Sequence, residues 1–285
     1  MILFMSFFIS SLPLMKSKYR KGWKWLKIFA VIYIMGGLAL YFLQDYILFR
    51  PVTLKKEHKY EFTEKHKEVN IPVSENSNLN IVQFLPADSI VKGVILYFHG
   101  NKKNISWYAK YAPSFTQHGY EVWMIDYPGF GKSTGKFTEQ ILYDWAGYLY
   151  KFALSKFSAD HIIIYGKSMG TGIAAHLGSL QPCKKLILET PYYDYPSVLK
   201  QWLPIYPIEW MIHYKIPTYR YIKNISAPVT ILHGTDDGVI RYRNARRLQP
   251  LLKPGDEFVT VNDGGHNDLF SFKQTMEKLD SLLKD

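Results

Sequence analysis

The sequence predicts an α/β fold: a mostly parallel central sheet with helices on both faces and a small cap insertion, preceded by one N-terminal transmembrane helix. Three observations predict it. From about residue 68 onward, apolar runs rich in β-branched residues alternate with helical patterns, the signature of strands joined by crossover helices. A Gly-x-Ser-x-Gly turn, Gly166-Lys167-Ser168-Met169-Gly170, sits where an apolar run meets a run of small residues. Residues 25–43, WLKIFAVIYIMGGLALYFL, carry a single charge, Lys27.

The chain has 285 residues, 47% of them hydrophobic and 16% aromatic, enough for one sizeable α/β domain with an extra segment. The first element is the apolar run. It is long enough to cross a hydrocarbon core of roughly 30 Å as a helix, and Trp23, Trp25, Tyr41 and Tyr46 flank it where amphipathic rings favour the interface. A buried soluble helix of that length would show a polar face, and a cleaved signal peptide would end its apolar run at a small-residue cleavage site. Neither pattern is present, so an uncleaved anchor is expected over 25–44, between a basic segment over 1–24 and a main domain over 45–285. Lys16, Lys18, Arg20, Lys21 and Lys24 precede the run, while Asp45 and Arg50 follow it. This asymmetry places the N-terminus in the cytoplasm and the main domain on the far side of the membrane; Lys55, Lys56 and Lys59 reduce the contrast. The first fourteen residues lack a basic leader, and translation is expected to begin at Met15, just before KSKYRK.

Strands are predicted at 68–73, 79–85, 91–98, 120–125, 160–165, 185–189, 228–233 and 257–262. Helices are predicted near 104–117, 138–156, 169–180, 241–251 and 269–283. No helix separates the first two strands, so the sheet is expected to begin antiparallel. Between 191 and 222 the alternation stops, and a stretch rich in Tyr, Trp and Pro reads as a cap over the C-terminal edge of the sheet. The formal net charge is +11, which suits an anionic membrane surface. No nucleic-acid module is present; Arg241, Arg243, Arg246 and Arg247 read as the exposed face of a helix. With Cys183 as the single cysteine, an internal disulfide framework and a Cys-rich zinc site are both excluded.

Gly-x-Ser-x-Gly occurs twice, around Ser133 and around Ser168. A nucleophile elbow needs a buried strand running into a sharp turn that opens directly onto a helix. Ser168 meets this requirement: His161-Ile162-Ile163-Ile164-Tyr165 precedes it, and Thr171-Gly172-Ile173-Ala174-Ala175 follows. Ser133 lies inside a loop whose helix opens later, near Thr138. The Gly131-Lys132-Ser133 run also suggests a phosphate-binding loop, but that motif needs a glycine at position 126, which is Asp.

A serine hydroxyl becomes a nucleophile when an imidazole takes its proton, and a carboxylate then fixes the imidazole tautomer. Among nine histidines, His266 alone follows the serine and lies in a polar glycine-bearing loop, Asn262-Asp263-Gly264-Gly265-His266-Asn267-Asp268. His99 and His233 each end a strand before Gly and are expected to brace turns. Asp236 and Asp237 both suit the acid chemically, with Asp194 a weaker third candidate. The negative oxygen of a tetrahedral intermediate needs fixed donors, worth roughly 3 kcal/mol each. The Met169 N–H is expected to supply one, and the His99-Gly100-Asn101 loop the other.

The set His99-Gly100-Asn101, Asp126-Tyr127-Pro128-Gly129-Phe130-Gly131, Gly166-Lys167-Ser168-Met169-Gly170-Thr171, His233-Gly234-Thr235-x-Asp237 and Gly265-His266-Asn267-Asp268 resembles the α/β-hydrolases. It is most similar to their membrane-anchored subgroup, related to depalmitoylating and lysophospholipid-cleaving enzymes, over roughly residues 40–283. The resemblance implies that Asp237 is the acid and that Asn101 gives the second oxyanion N–H. Lys102 and Lys103 depart from the small residues usual after that motif, and point to an anionic head group. The expected activity is hydrolysis of an acyl ester or thioester through an acyl-enzyme, with no metal or organic cofactor. The expected substrate is a small-molecule or lipid-like acyl compound, with Trp202 and Trp210 of the cap as candidate substrate-binding residues, although most cap rings are expected only to seal the cap to the sheet. The alternatives are a peptidase or amidase on the same residues and a non-catalytic membrane-tethered binding module.

Overall fold

The computed structural model describes residues 17–87 and 90–284; the expected start at Met15 lies outside the described residues. One compact unit ends at Ile47 and the second begins at Leu48. In the first, helix α1 (Ser17–Leu48) contains a stretch, Lys21–Leu48, long and apolar enough to cross a membrane. Its side chains from Trp25 to Phe42 are largely exposed.

The second unit is built on an eight-stranded sheet. In chain order its elements are β1 (Arg50–Pro51), β2 (His66–Ser74), β3 (Ser77–Phe84), β4 (Gly93–Phe98), β5 (Lys102–Lys103), α2 (Ile105–Tyr108), α3 (Pro113–Thr116), β6 (Tyr120–Ile125), α4 (Glu139–Leu154), β7 (Ile162–Lys167), α5 (Met169–Leu180), β8 (Lys185–Glu189), α6 (Tyr195–Lys200), α7 (Ile208–Met211), α8 (Thr218–Tyr221), β9 (Val229–Gly234), α9 (Tyr242–Ala245), β10 (Glu257–Val261) and α10 (Lys273–Lys284). The sheet order is β10-β9-β8-β7-β4-β6-β3-β2. β10 through β6 are parallel, and β3 pairs antiparallel with both β6 and β2. All eight predicted strands are present within about two residues of their expected bounds, and the antiparallel start is present too.

Alternation of side chains along each strand explains why the central ones are apolar throughout. Val94, Leu96 and Phe98 of β4 join Ile162 and Ile164 of β7 in one core layer, together with α4 and α5 side chains. Ile95, Tyr97, Ile163 and Tyr165 enter a second layer with Phe115 and Leu279. Helices pack against both faces of these central strands.

Three expected helices are shorter than their sequence pattern. The helix predicted over 104–117 breaks into α2, a 3₁₀ turn and α3, because Pro113 has no N–H to continue the ladder and instead starts a new helix. Residues 241–251 form only α9 and then a 3₁₀ turn containing Pro250. The last helix begins at Lys273, after a separate turn over Leu269–Ser271. The cap over 191–222 contains only short helices, punctuated by Pro196, Pro204, Pro207 and Pro217. A parallel pair that the sequence did not suggest, β1 with β5, ties the start of the second unit to the loop after β4.

Strand order reverses between β4 and β7: β4 leads to β6 on one side, and β7 to β8 on the other. A crevice at the C-terminal ends of these strands is where ligands bind in open α/β sheets.

Candidate active site

Ser168 follows β7 directly and opens α5 with φ 52° and ψ −119°. A non-glycine residue there stores about 1–3 kcal/mol of strain, which the surroundings must hold. They do so through three contacts: Ser168 N–H donates to the Glu189 carbonyl (2.9 Å), while its own carbonyl accepts from Thr171 N–H (2.9 Å) and Thr171 Oγ1 (2.6 Å). The turn also needs bare backbone at Gly170, where a Cβ would stand 2.0 Å from the Phe98 carbonyl oxygen.

His266 Nε2 lies 2.9 Å from Ser168 Oγ, and His266 Nδ1 lies 2.7 Å from Asp237 Oδ2. An ionised carboxylate only accepts, so Nδ1 carries the proton and Nε2 offers its lone pair to the serine hydroxyl. Residues 98 and 29 positions from His266 thus meet it from the ends of β7 and β9. Asp237 is buried, and its Oδ1 accepts from Val239 N–H and Ile240 N–H, both at 2.8 Å. Burial opposes its ionisation, but the hydrogen bond and charge of His266, with help from His233 and the Ile240 amide, hold its carboxyl below the usual value.

The two neighbouring acids are not brought to His266. Asp236 is exposed, and its N–H is spent on the Gly264 carbonyl. Asp194 caps α6 by accepting from Ser197 N–H. Ser133 is buried as an acceptor for Asn80 N–H at 2.9 Å. His99 and His233 brace loops: His99 Nδ1 meets the Gly100 carbonyl (2.7 Å) and His233 Nε2 the Ile240 carbonyl (2.9 Å).

Met169 is the first residue of α5, so its N–H has no acceptor within the helix. The loop after β4 passes close to the serine; a Cβ on Gly100 would be 3.5 Å from Ser168 Cβ. Asn101 is clamped from both ends. Its carbonyl accepts from Arg50 N–H (3.0 Å) and its Nδ2 donates to the Leu48 carbonyl (2.5 Å), while its side chain also hydrogen-bonds the Tyr195 hydroxyl. Lys102 and Lys103 are exposed in β5 rather than directed into the core.

Trp202 and Trp210 do not line an enclosed acyl pocket: they are 53% and 88% exposed. The reason lies in α7, which turns Ile208 into the core and so carries Trp210, two positions on, to the other side. Tyr192, Tyr195 and Tyr214 of the cap are buried in the core layer shared with α5.

One feature escaped the sequence pattern. Lys167, in the middle of the elbow motif, is buried and ion-paired with Glu189, its register partner at the end of β8. Tyr165 Oη donates to the other Glu189 oxygen at 2.7 Å, and Lys167 Nζ reaches the His266 carbonyl at 3.3 Å. A charge ending each of two apolar strands was the available signal, but only the register joins them. Among the described residues no cluster of His, Cys, Asp and Glu could hold a metal ion.

The family model described as serine aminopeptidase, S33 (Hydrolase_4) matches residues 89–224. The chain is 27% identical over 192 residues to the uncharacterized protein YfhR of Escherichia coli O157:H7, an alignment covering 65% of this chain and 66% of that one. It is 26% identical over 200 residues to alpha/beta hydrolase domain-containing protein 17C of Xenopus tropicalis, covering 66% and 61%. It therefore spans less than two thirds of the length of these relatives. Among solved structures, an esterase of Pyrococcus furiosus, Pf2001, superposes with a TM-score of 0.65 at 17% identity, covering 83% of this chain and 97% of that one. An esterase domain from Rhodothermus marinus gives 0.56 at 17% identity, covering 77% and 96%. The family model, the alpha/beta hydrolase domain-containing relative and the esterase folds together support placing the chain in the α/β-hydrolase superfamily.

Proposed function

We propose that the chain is a serine hydrolase that cleaves an acyl ester or thioester through an acyl-enzyme intermediate. The observation that carries this reading is the chain of short contacts Ser168 Oγ–His266 Nε2 (2.9 Å) and His266 Nδ1–Asp237 Oδ2 (2.7 Å). In this reading Ser168 Oγ adds to the acyl carbon while its proton passes to His266 Nε2. The carbonyl oxygen becomes an oxyanion held by the Met169 and Asn101 N–H groups. Collapse breaks the bond to the leaving group, which takes the proton from His266, and water then repeats the sequence on the acyl-enzyme. No metal or organic cofactor is needed for these steps. An active-site-directed fluorophosphonate should label the wild type and Ser133→Ala but not Ser168→Ala. Labelling retained by Ser168→Ala would overturn the assignment.

The match to a serine aminopeptidase family model favours a second reading, cleavage of aminoacyl amides on the same residues. A screen of p-nitrophenyl esters from acetate to hexanoate against aminoacyl amides separates the two. An apolar acyl substrate predicts rising efficiency along the ester series.

The proposal includes a tether. The apolar stretch of α1 would span the membrane, with Lys21 and Lys24 on the cytoplasmic side and the hydrolase domain on the other. External protease should then reach the domain in intact cells; protection until the membrane is breached would reverse the orientation.

A further inference from the structure

Residues 48–54 form a strap along two loops at the C-terminal edge of the sheet. Arg50 N–H donates to the Asn101 carbonyl (3.0 Å) and Val52 N–H to the Lys103 carbonyl (3.2 Å). The Val52 carbonyl accepts from Gly131 N–H (2.9 Å) and Asn104 Nδ2 (2.9 Å), and Leu54 N–H donates to the Gly131 carbonyl (2.7 Å). The last carbonyls of a helix have no donor within it. That of Leu48, the final residue of α1, accepts from Asn101 Nδ2. Leu48 and Phe49 are buried, and the Phe49 ring packs against Phe137, Tyr214 and Tyr195 with centroids 4.4, 4.7 and 6.1 Å away. The ring therefore anchors the two bonds that flank it, at Leu48 and Arg50.

Both of those bonds end on Asn101. Its carbonyl is held by Arg50, and its side chain by the Leu48 carbonyl and the Tyr195 hydroxyl. The peptide unit before it is held too, because the Gly100 carbonyl accepts from His99 Nδ1 at 2.7 Å. A peptide is planar and trans, so a fixed Gly100 carbonyl directs the Asn101 N–H the opposite way. The strap has no part in the contacts among Ser168, His266 and Asp237, nor in those that hold the Ser168 turn. Its strand pair, β1 with β5, also stands outside the eight-stranded sheet. Its reach into the site is through the loop that carries Asn101.

We propose that this strap positions the Asn101 N–H for the oxyanion, which makes the segment following the apolar helix a working part of the active site. This rests on the reading above, with Ser168 as nucleophile and the Asn101 N–H as an oxyanion donor. Phe49, the Arg50 N–H and the Asn101 side chain are positioning groups that act through that one donor. An oxyanion donor is engaged in the transition state far more than in bound substrate, so loosening the strap lowers kcat and leaves KM unchanged. Removing such a donor outright costs about 10²–10³ in kcat, and misdirecting it should cost about tenfold or more.

The test uses the detergent-solubilised full chain, a p-nitrophenyl ester, and a trifluoromethyl ketone, which adds to the serine and leaves an oxyanion in the same place. Asn101→Ala keeps the backbone N–H but removes both side-chain bonds. It should lower kcat by about tenfold or more at unchanged KM, and weaken the ketone by the same factor, with the urea midpoint close to wild type. Arg50 is exposed, and Arg50→Pro deletes the N–H that the Asn101 carbonyl accepts. It should cost far more kcat than Arg50→Ala, which keeps that N–H. If the proline unfolds the chain, Asn101→Ala carries the test alone. Wild-type kcat in Asn101→Ala, or a loss of kcat that the ketone affinity does not follow, overturns the proposal. Turnover that survives Ser168→Ala is a different result: it defeats the serine-hydrolase reading itself, and the role of the strap with it.

Discussion

Asp236 and Asp237 are neighbours in the chain with the same chemistry, yet only one carboxylate is enclosed. Asp237 sits against two backbone amides and the His266 ring, whereas Asp236 points to solvent. Asp237→Asn should reduce turnover by orders of magnitude, as the equivalent change does in a serine protease by about 10⁴, and Asp236→Asn should change it little. Equal losses in steady-state kinetics would mean that the two acids share the task. Lys167 presents a different case. Lys167→Met strands the buried Glu189 charge, and breaking such a pair costs about 3–5 kcal/mol in urea unfolding. Adding Glu189→Gln should recover most of that stability. If Lys167 also steadies the His266 loop through the carbonyl it touches, kcat stays low in the refolded double variant; full recovery of kcat would make the pair purely structural.

At the scale of elements, the elbow depends on how closely β4, β7 and α5 approach. A methyl on Gly170 would meet the Phe98 carbonyl at 2.0 Å. Overpacking of this kind costs about 1–3 kcal/mol, occasionally more. Here it would also separate the Met169 N–H from the His99–Asn101 loop. Gly170→Ala should therefore lower both the unfolding midpoint and turnover. Gly147 offers the contrast within one protein. It lies in the middle of α4, and a methyl there meets nothing within 4 Å. Gly147→Ala should stabilise the fold by about 0.5–1 kcal/mol through helix propensity, with turnover unchanged. A stabilised Gly170→Ala, or a destabilised Gly147→Ala, in thermal melts would contradict this packing.

For the whole molecule, burial couples stability to pH. Burial pushes the His233 imidazole down from 6.5 to about 4, and His176 shifts the same way for the same reason. Between those values the unfolded chain holds a proton at position 233 that the folded chain refuses, so stability falls as pH falls from about 6.5 to about 4. The full shift at His233 corresponds to roughly 3 kcal/mol. Asp237 acts in the same direction at lower pH: its stabilisation is present above the ordinary carboxylate value and is lost as pH drops through its lowered one. The unfolding midpoint should therefore decline steadily as the buffer is taken from about pH 7 to pH 4. A flat profile over that window would mean that His233 protonates without unfolding the loop it braces.

The strands, the elbow at Ser168 and the apolar helix were legible in the sequence because each depends on residues within one turn or strand of each other. Period-two burial, glycines beside a serine and an unbroken apolar run need no knowledge of distant neighbours. Helix lengths were less legible. Periodicity ran through Pro113 and Pro250, but the chain could not continue its hydrogen bonds there. Position facing solvent or core was decided by tertiary structure, which turned Trp210 outward and packed Tyr192 and Tyr195 inward. The meeting of His266 with Ser168 across 98 residues, the placement of Asp237 rather than Asp236 against the His266 ring, and the Lys167–Glu189 pair all depend on sheet order and register. Those are set when separated strands pair and bury their faces together, so they belong to the folded chain and to no single segment of it.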